Sequence, residues 1–145
     1  MSRAWPAPAV GDIVWCRFPE LPDLEPGPKP RPALVIGIET RSNGINVRVV
    51  YGTSQRVDQL LAGEFSITRN FHAQAFRLAG LAEDTKFNLG EAVELPWQDR
   101  YFGVPPRPKH GQTPKLGTLH ASVYRAAAAA YSVARRARTD DQEHQ

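Results

Sequence analysis

Six of the fourteen residues from Pro19 to Pro32 are proline: Pro19, Pro22, Pro26, Pro28, Pro30 and Pro32. Proline fixes φ and has no amide hydrogen, so neither a helix nor a central strand can run through this stretch. The chain is therefore split into a short N-terminal segment, a long arm, and a remainder that must reach the first segment across that arm. Connections of this length are uncommon in compact domains and are often functional. The arm also carries three acids, Glu20, Asp23 and Glu25.

Short apolar runs bounded by glycine and proline flank the arm, which is a strand signal. Val10 to Phe18 alternates, with Val10, Ile13/Val14, Cys16 and Phe18 set against Asp12, Trp15 and Arg17. Ala33 to Ile38 is almost continuously apolar, as expected of a strand buried on both faces. Asn43-Gly44 is a hairpin signal, and Ile45 to Tyr51 alternates again, so a hairpin is expected from Ala33 to Tyr51. Arg56 to Gly63 reads as a short helix or turn, Glu64 to Thr68 as a strand, and Ala73 to Ala79 as a short helix or irregular segment. The last long strand is expected at Ala92 to Leu95. A second loop rich in proline and glycine, Trp97 to Pro114, carries Arg100, Arg107, Lys109 and His110.

From Lys115 the pattern becomes helical, with Thr118 as candidate N-cap. Leu119, Val123, Ala126/Ala127, Ala130 and Ala134 form the stripe. The alanines point to close packing on a sheet or on another helix, and Arg135, Arg136 and Arg138 complement the negative end of the helix dipole. Residues 1–9 and 139–145 are expected to be loose. The fold class that follows is mainly β with α: a single domain over residues 1–145, built as a small barrel or strongly bent sheet with a C-terminal helix.

Composition narrows the function. At 145 residues, with 41% hydrophobic and 23% charged residues, the chain is long enough for one real core. A formal charge of +3 is compatible with a polyanionic partner without requiring one. The single Cys16 rules out an internal disulfide and a cysteine-based zinc site. The histidines (His72, His110, His120 and His144) have no metal-ligand spacing, so no metal or other cofactor is expected. No apolar run reaches the roughly 20 residues that span a bilayer, and the first residues lack the apolar core of a signal peptide. A cytoplasmic location without membrane association is the expectation.

Three pieces in order, Gly11-Asp12-Ile13-Val14-Trp15, Pro30-Arg31-Pro32-Ala33-Leu34-Val35-Ile36 and Gly52-Thr53-Ser54, resemble the PemK/MazF family of toxin–antitoxin ribonucleases. Similarity is clear over residues 10–55 and looser over 86–135. The resemblance implies an SH3-like barrel with a C-terminal helix, a homodimer, metal-independent cleavage of single-stranded RNA, and a cognate antitoxin as partner. It also implies that the catalytic arginine is Arg31 and the catalytic hydroxyl Thr53, with Ser54 beside it. Lys86 to Leu95 departs from the family: Asn88 and Glu91 stand where many members have Asp and Arg. The acidic, proline-rich arm likewise replaces a loop containing Gly and Gln.

Metal-free RNA cleavage needs a proton acceptor for the 2′-hydroxyl, a donor for the leaving 5′-oxygen, and a cation for the charge developing on phosphate. A guanidinium stays charged and bonds two phosphate oxygens at once, which suits Arg31; its plain alternative is a salt bridge to Glu20 or Glu25. Thr53 can orient phosphate or water, or merely cap a turn. His110, Asp12 and Glu91 are candidate bases, none of them assigned, and His120 reads as structural. Ser54, Gln55, Arg48, Arg56 and Lys86 are candidate RNA-binding residues, with Arg69 and Arg77 as further cations. Trp15, Trp97, Tyr101 and Phe102 are either base-stacking or core aromatics. The alternative function is a non-catalytic module of the same fold that binds nucleic acid or protein, as gyrase-poisoning barrels do.

Overall fold

The computed structural model describes residues 5–143. Six strands, β1 (Asp12–Cys16), β2 (Arg31–Arg41), β3 (Gly44–Thr53), β4 (Glu64–Ile67), β5 (Thr85–Pro96) and β6 (Lys115–Thr118), form one sheet in the order β4-β5-β3-β2-β1-β6. Every pairing is antiparallel. Helix α1 (Ala73–Leu78) follows β4, and a 3₁₀ turn, Ala121–Val123, leads into helix α2 (Tyr124–Glu143). Among the described residues no helix is long and apolar enough to cross a membrane.

Successive strand residues point to opposite faces, and here both faces are covered. On one side Ile13, Leu34, Val50, Phe65 and Phe87 pack under Ala75 of α1, Ala79 just after it, and Ala130 and Ala134 of α2. On the other, Val14, Cys16, Ala33, Val35, Val47 and Val49 pack under Tyr101 and Phe102 from the loop after β5. This double burial is why β2 reads as an unbroken apolar run. Each buried Val, Leu, Ile or Phe side chain adds about 1.5–3 kcal/mol of hydrophobic stabilisation. Register shifts in β2 between Val35 and Gly37, and in β3 between Val50 and Gly52, interrupt the ladders at the centre of the sheet.

The expected hairpin is present and longer than its apolar core, spanning Arg31 to Thr53 with Arg41 opposite Gly44. Three expectations are corrected. The strand expected at Ala92–Leu95 starts seven residues earlier, at Thr85. Lys115–Thr118 is strand β6 on the edge of β1 rather than the start of a helix, and Thr118 caps nothing. The capping side chain is His120, whose Nδ1 accepts the Ser122 N–H at 3.1 Å. The N-terminal stretch is also less loose than expected: Trp5 meets Trp97 edge-on at 5.8 Å, and Trp97 Nε1 donates to Pro6 O. At the other end, α2 continues to Glu143. His144 lies outside the described residues.

Candidate active site

Arg31 opens β2, paired with Cys16 of β1 and held between Pro30 and Pro32. The β2–β3 ladder ends at Ala33 opposite Tyr51. Continued two residues further, the same register sets Arg31 opposite Thr53. The strands are tight there: a Cβ on Gly52 would stand 2.7 Å from Pro32 O and 2.8 Å from the Phe87 ring. Only glycine fits, which explains the Gly before Thr53-Ser54.

The salt bridge that would have made Arg31 an ordinary surface arginine is missing. Glu25 is bonded to Arg100 at 2.6 Å, and among the described residues Arg31 has no carboxylate partner. Its guanidinium lies instead over the Tyr51 ring, 5.7 Å from the centroid. Such stacking holds a cation while leaving its N–H donors free. Arg31 is half-buried and lies on the rim shared by two clefts.

The first cleft, about 450 Å³, gathers Arg31, Tyr51, Glu20, Lys29 and Glu91 beside Phe18. Glu91 comes here through an irregularity in β5. Between the pairs Val50–Ala92 and Gly52–Phe87, β3 contributes Tyr51 alone, whereas β5 contributes residues 88–91. Glu91, the last of these surplus residues, lines the cleft with Tyr51. The arm supplies the opposite wall, fixed by Gly27 N–H donating to Arg17 O and Tyr101 Oη–H donating to Leu24 O. A cleft holding exposed carboxylates, an ammonium and a free guanidinium has the parts for proton transfer beside a stabilised phosphate.

The second cleft, about 570 Å³, runs from Arg31 past Gly52 and Ser54 to the loop after β5. Thr53 Oγ1 accepts the Gln55 N–H at 3.1 Å, which shapes the turn and leaves the hydroxyl hydrogen to donate. Ser54, Gln55 and Arg56 are exposed on that turn, with Arg56 at φ 53°.

The other expected site residues fall elsewhere. Lys86 is no surface cation: it is 6% exposed, and its Nζ bonds Glu64 Oε1 at 2.9 Å and Gln59 O at 3.0 Å. Arg48 lies five residues back along β3, roughly 17 Å from Thr53 at strand rise, opposite Glu94. Asp12 is buried, accepting the Ala9 N–H and facing Lys115. His72 Nδ1 accepts the Thr68 N–H, while His110 is exposed and lines neither cleft. Arg69 bonds Ala82 O and stacks on Phe76, and Arg77 lies on α1. Tyr101 and Phe102 belong to the core, and Trp97 packs on Phe102, so only Trp15 among these aromatics lines a cleft. Burial pushes the Cys16 thiol far up, which makes it a core residue and no nucleophile. Among the described residues no three of His, Cys, Asp and Glu are grouped to hold a metal ion.

Reading the sequence did not bring Glu20, Lys29 and Tyr51 to the site. The available signal was Tyr51's parity with Thr53 on one strand face, two residues before it.

No protein-family model and no curated protein sequence matches the chain. Solved structures do. The chain is similar to the Mycobacterium tuberculosis toxin MazF-mt6, at 20% identity and a TM-score of 0.53, over 86% of this chain and 96% of that one. It is also similar to an endoribonuclease in complex with its cognate antitoxin from mycobacterial species, at 17% identity and a TM-score of 0.52, over 88% and 94% of the two chains. The chain therefore has the MazF-like fold, mainly β with a C-terminal helix, as the sequence implied.

Proposed function

We propose that this protein is the toxin of a toxin–antitoxin pair, an endoribonuclease that cleaves single-stranded RNA without metal and is silenced by a cognate antitoxin. The observation that carries the proposal is Arg31: a half-buried guanidinium with no carboxylate partner, at the junction of two clefts, on a fold shared with a toxin and an endoribonuclease. In this reading Arg31 binds the scissile phosphate and the charge that develops on it. The Thr53 hydroxyl, whose oxygen already accepts from Gln55, donates to a phosphate oxygen and orients it. Glu91 and Glu20 are the carboxylates that share a cleft with Arg31, and one of them takes the 2′-hydroxyl proton. Lys29 is the adjacent ammonium from which the leaving oxygen draws a proton. Homodimerisation and a cytoplasmic location are part of the same reading.

The test is incubation of the purified protein with a long single-stranded RNA in EDTA, beside Arg31→Ala and Thr53→Ala. Discrete cuts by the parent that both variants lose support the assignment. Intact RNA with a folded parent protein overturns the nuclease reading, and cuts that survive Arg31→Ala overturn the site.

A further inference from the structure

Apart from Arg31, the second cleft has a lining that the proposed cleavage chemistry does not use. Its apolar walls include Trp15, Pro32, Pro106 and Leu116, and three charged side chains line it with them: Arg31, Arg107 and Glu83. Its volume of about 570 Å³ lies within the roughly 300–1,000 Å³ of pockets that take a small ligand. The walls are firmly built. The backbone N–H of Trp15 donates to Pro114 O at 2.8 Å, and its carbonyl accepts the Gly103 N–H at 3.2 Å, so both ends of the loop after β5 are fastened to that residue.

Arg107 is presented unusually. It sits at φ 56°, a conformation uncommon outside glycine, between Pro106 and Pro108. Its side chain is exposed and has no ion-pair or hydrogen-bond partner among the described residues. Glu83 is the cleft's one carboxylate and is likewise without a cation; its backbone carbonyl accepts the Thr85 hydroxyl, which fixes the chain where β5 begins.

We propose that this cleft is a subsite for one unpaired nucleobase of the RNA strand whose phosphate lies at Arg31, with Arg107 on a neighbouring phosphate and Glu83 reading the base. The proposal rests on the nuclease reading above and adds the determinant of sequence preference. An apolar lining that includes the Trp15 indole suits a base face, and cations at two positions in it suit the charged backbone that enters and leaves. An ionised carboxylate only accepts hydrogen bonds. Guanine offers N1–H and N2–H side by side to such a group, whereas uracil offers a single N–H between two carbonyls. The subsite therefore takes guanine and rejects uracil.

The test uses a pool of single-stranded RNA with randomised sequence, cut by the parent, Glu83→Gln and Arg107→Asn, with cut ends sequenced. Asparagine is chosen because it tolerates positive φ. The parent is expected to require guanine at one fixed position from the cut, and Glu83→Gln to reduce the guanine-over-uracil ratio there by about tenfold or more. Arg107→Asn is expected to weaken all sequences alike and to lower the salt dependence of binding by about 0.7 for each phosphate that is no longer neutralised. Binding is measured separately, by anisotropy of labelled G-containing and U-containing oligoribonucleotides on the Arg31→Ala background, with and without each substitution. An unchanged base preference in Glu83→Gln, or a parental salt slope in Arg107→Asn, overturns the subsite while the nuclease reading stands. Base-selective binding without cleavage by the parent overturns the nuclease reading and leaves the subsite standing. A folded protein that neither binds nor cuts overturns both.

Discussion

The ammonium of Lys86 lies 2.9 Å from Glu64 Oε1, with both side chains almost sealed from water at 7% and 6% exposure. A second bond of the ammonium, to Gln59 O, ties the loop that follows Thr53 back onto the sheet. Removing one member of such a pair strands a buried charge, at a cost of about 3–5 kcal/mol. Lys86→Met is expected to lower unfolding stability by that amount in urea titrations. Pairing it with Glu64→Leu should restore most of the loss. Parental stability in the single variant would refute the pair's structural role.

Gly52 faces Pro32 across a gap too narrow for a methyl group. Gly52→Ala is expected to force β2 and β3 apart and to destabilise the fold by about 1–3 kcal/mol. Because Pro32 adjoins Arg31, RNA cleavage should fall more steeply than stability does. Comparing kcat with the unfolding midpoint separates the two effects, and equal, small changes would contradict the packing argument.

Arg31 is expected to be irreplaceable by lysine. An ammonium keeps the charge but loses the planar fork that spans two phosphate oxygens. In single-turnover cleavage Arg31→Lys should be slower by about 100-fold or more. Full activity in this variant would reduce Arg31 to a point charge.

Glu94 has a measurable pH signature far from the site. The Arg41 guanidinium, 2.6 Å away, and then the Asn46 amide hold its carboxyl down at about 2, against an ordinary 4.5. A pKa lowered in the folded state gives stability that is fully present above pH 4.5 and is lost as pH falls toward 2. The unfolding midpoint should drop across that window, and Glu94→Gln should flatten the drop. An identical profile in the variant would show the contact to be without consequence in solution.

What could be read in the sequence and what could not differ in range. The β2–β3 hairpin was legible because its signals are local: an apolar run, Asn43-Gly44, and an alternating partner. Strand β6 was not, since Lys115–Thr118 adjoins a helical alanine pattern and is made a strand only by pairing with β1, a hundred residues away in sequence. Arg31 and Thr53 were singled out from short motifs, and the fold sets them at the facing ends of β2 and β3. Glu91's approach to Arg31 depends on surplus residues in β5 opposite Tyr51, a register effect that no single segment carries. Lys86 misled for the same reason: composition shows a cation, but only the fold shows Glu64 beside it.

The two clefts share Arg31, but their outer walls come mainly from different loops, the arm on one side and the 97–114 loop with residues 80–83 on the other, Pro30 of the arm also edging the second cleft. Each loop is fastened by its own backbone bonds near β1, through Gly27 to Arg17 and through Gly103 and Pro114 to Trp15. On the proposed reading, exchanging the 97–114 loop alters what the protein grips on one flank of Arg31 and leaves the arm and the guanidinium in register. If the proposed nuclease and base subsite hold, sequence preference and cutting are separable modules, and redesign of the target belongs in the loops, with the strands left alone.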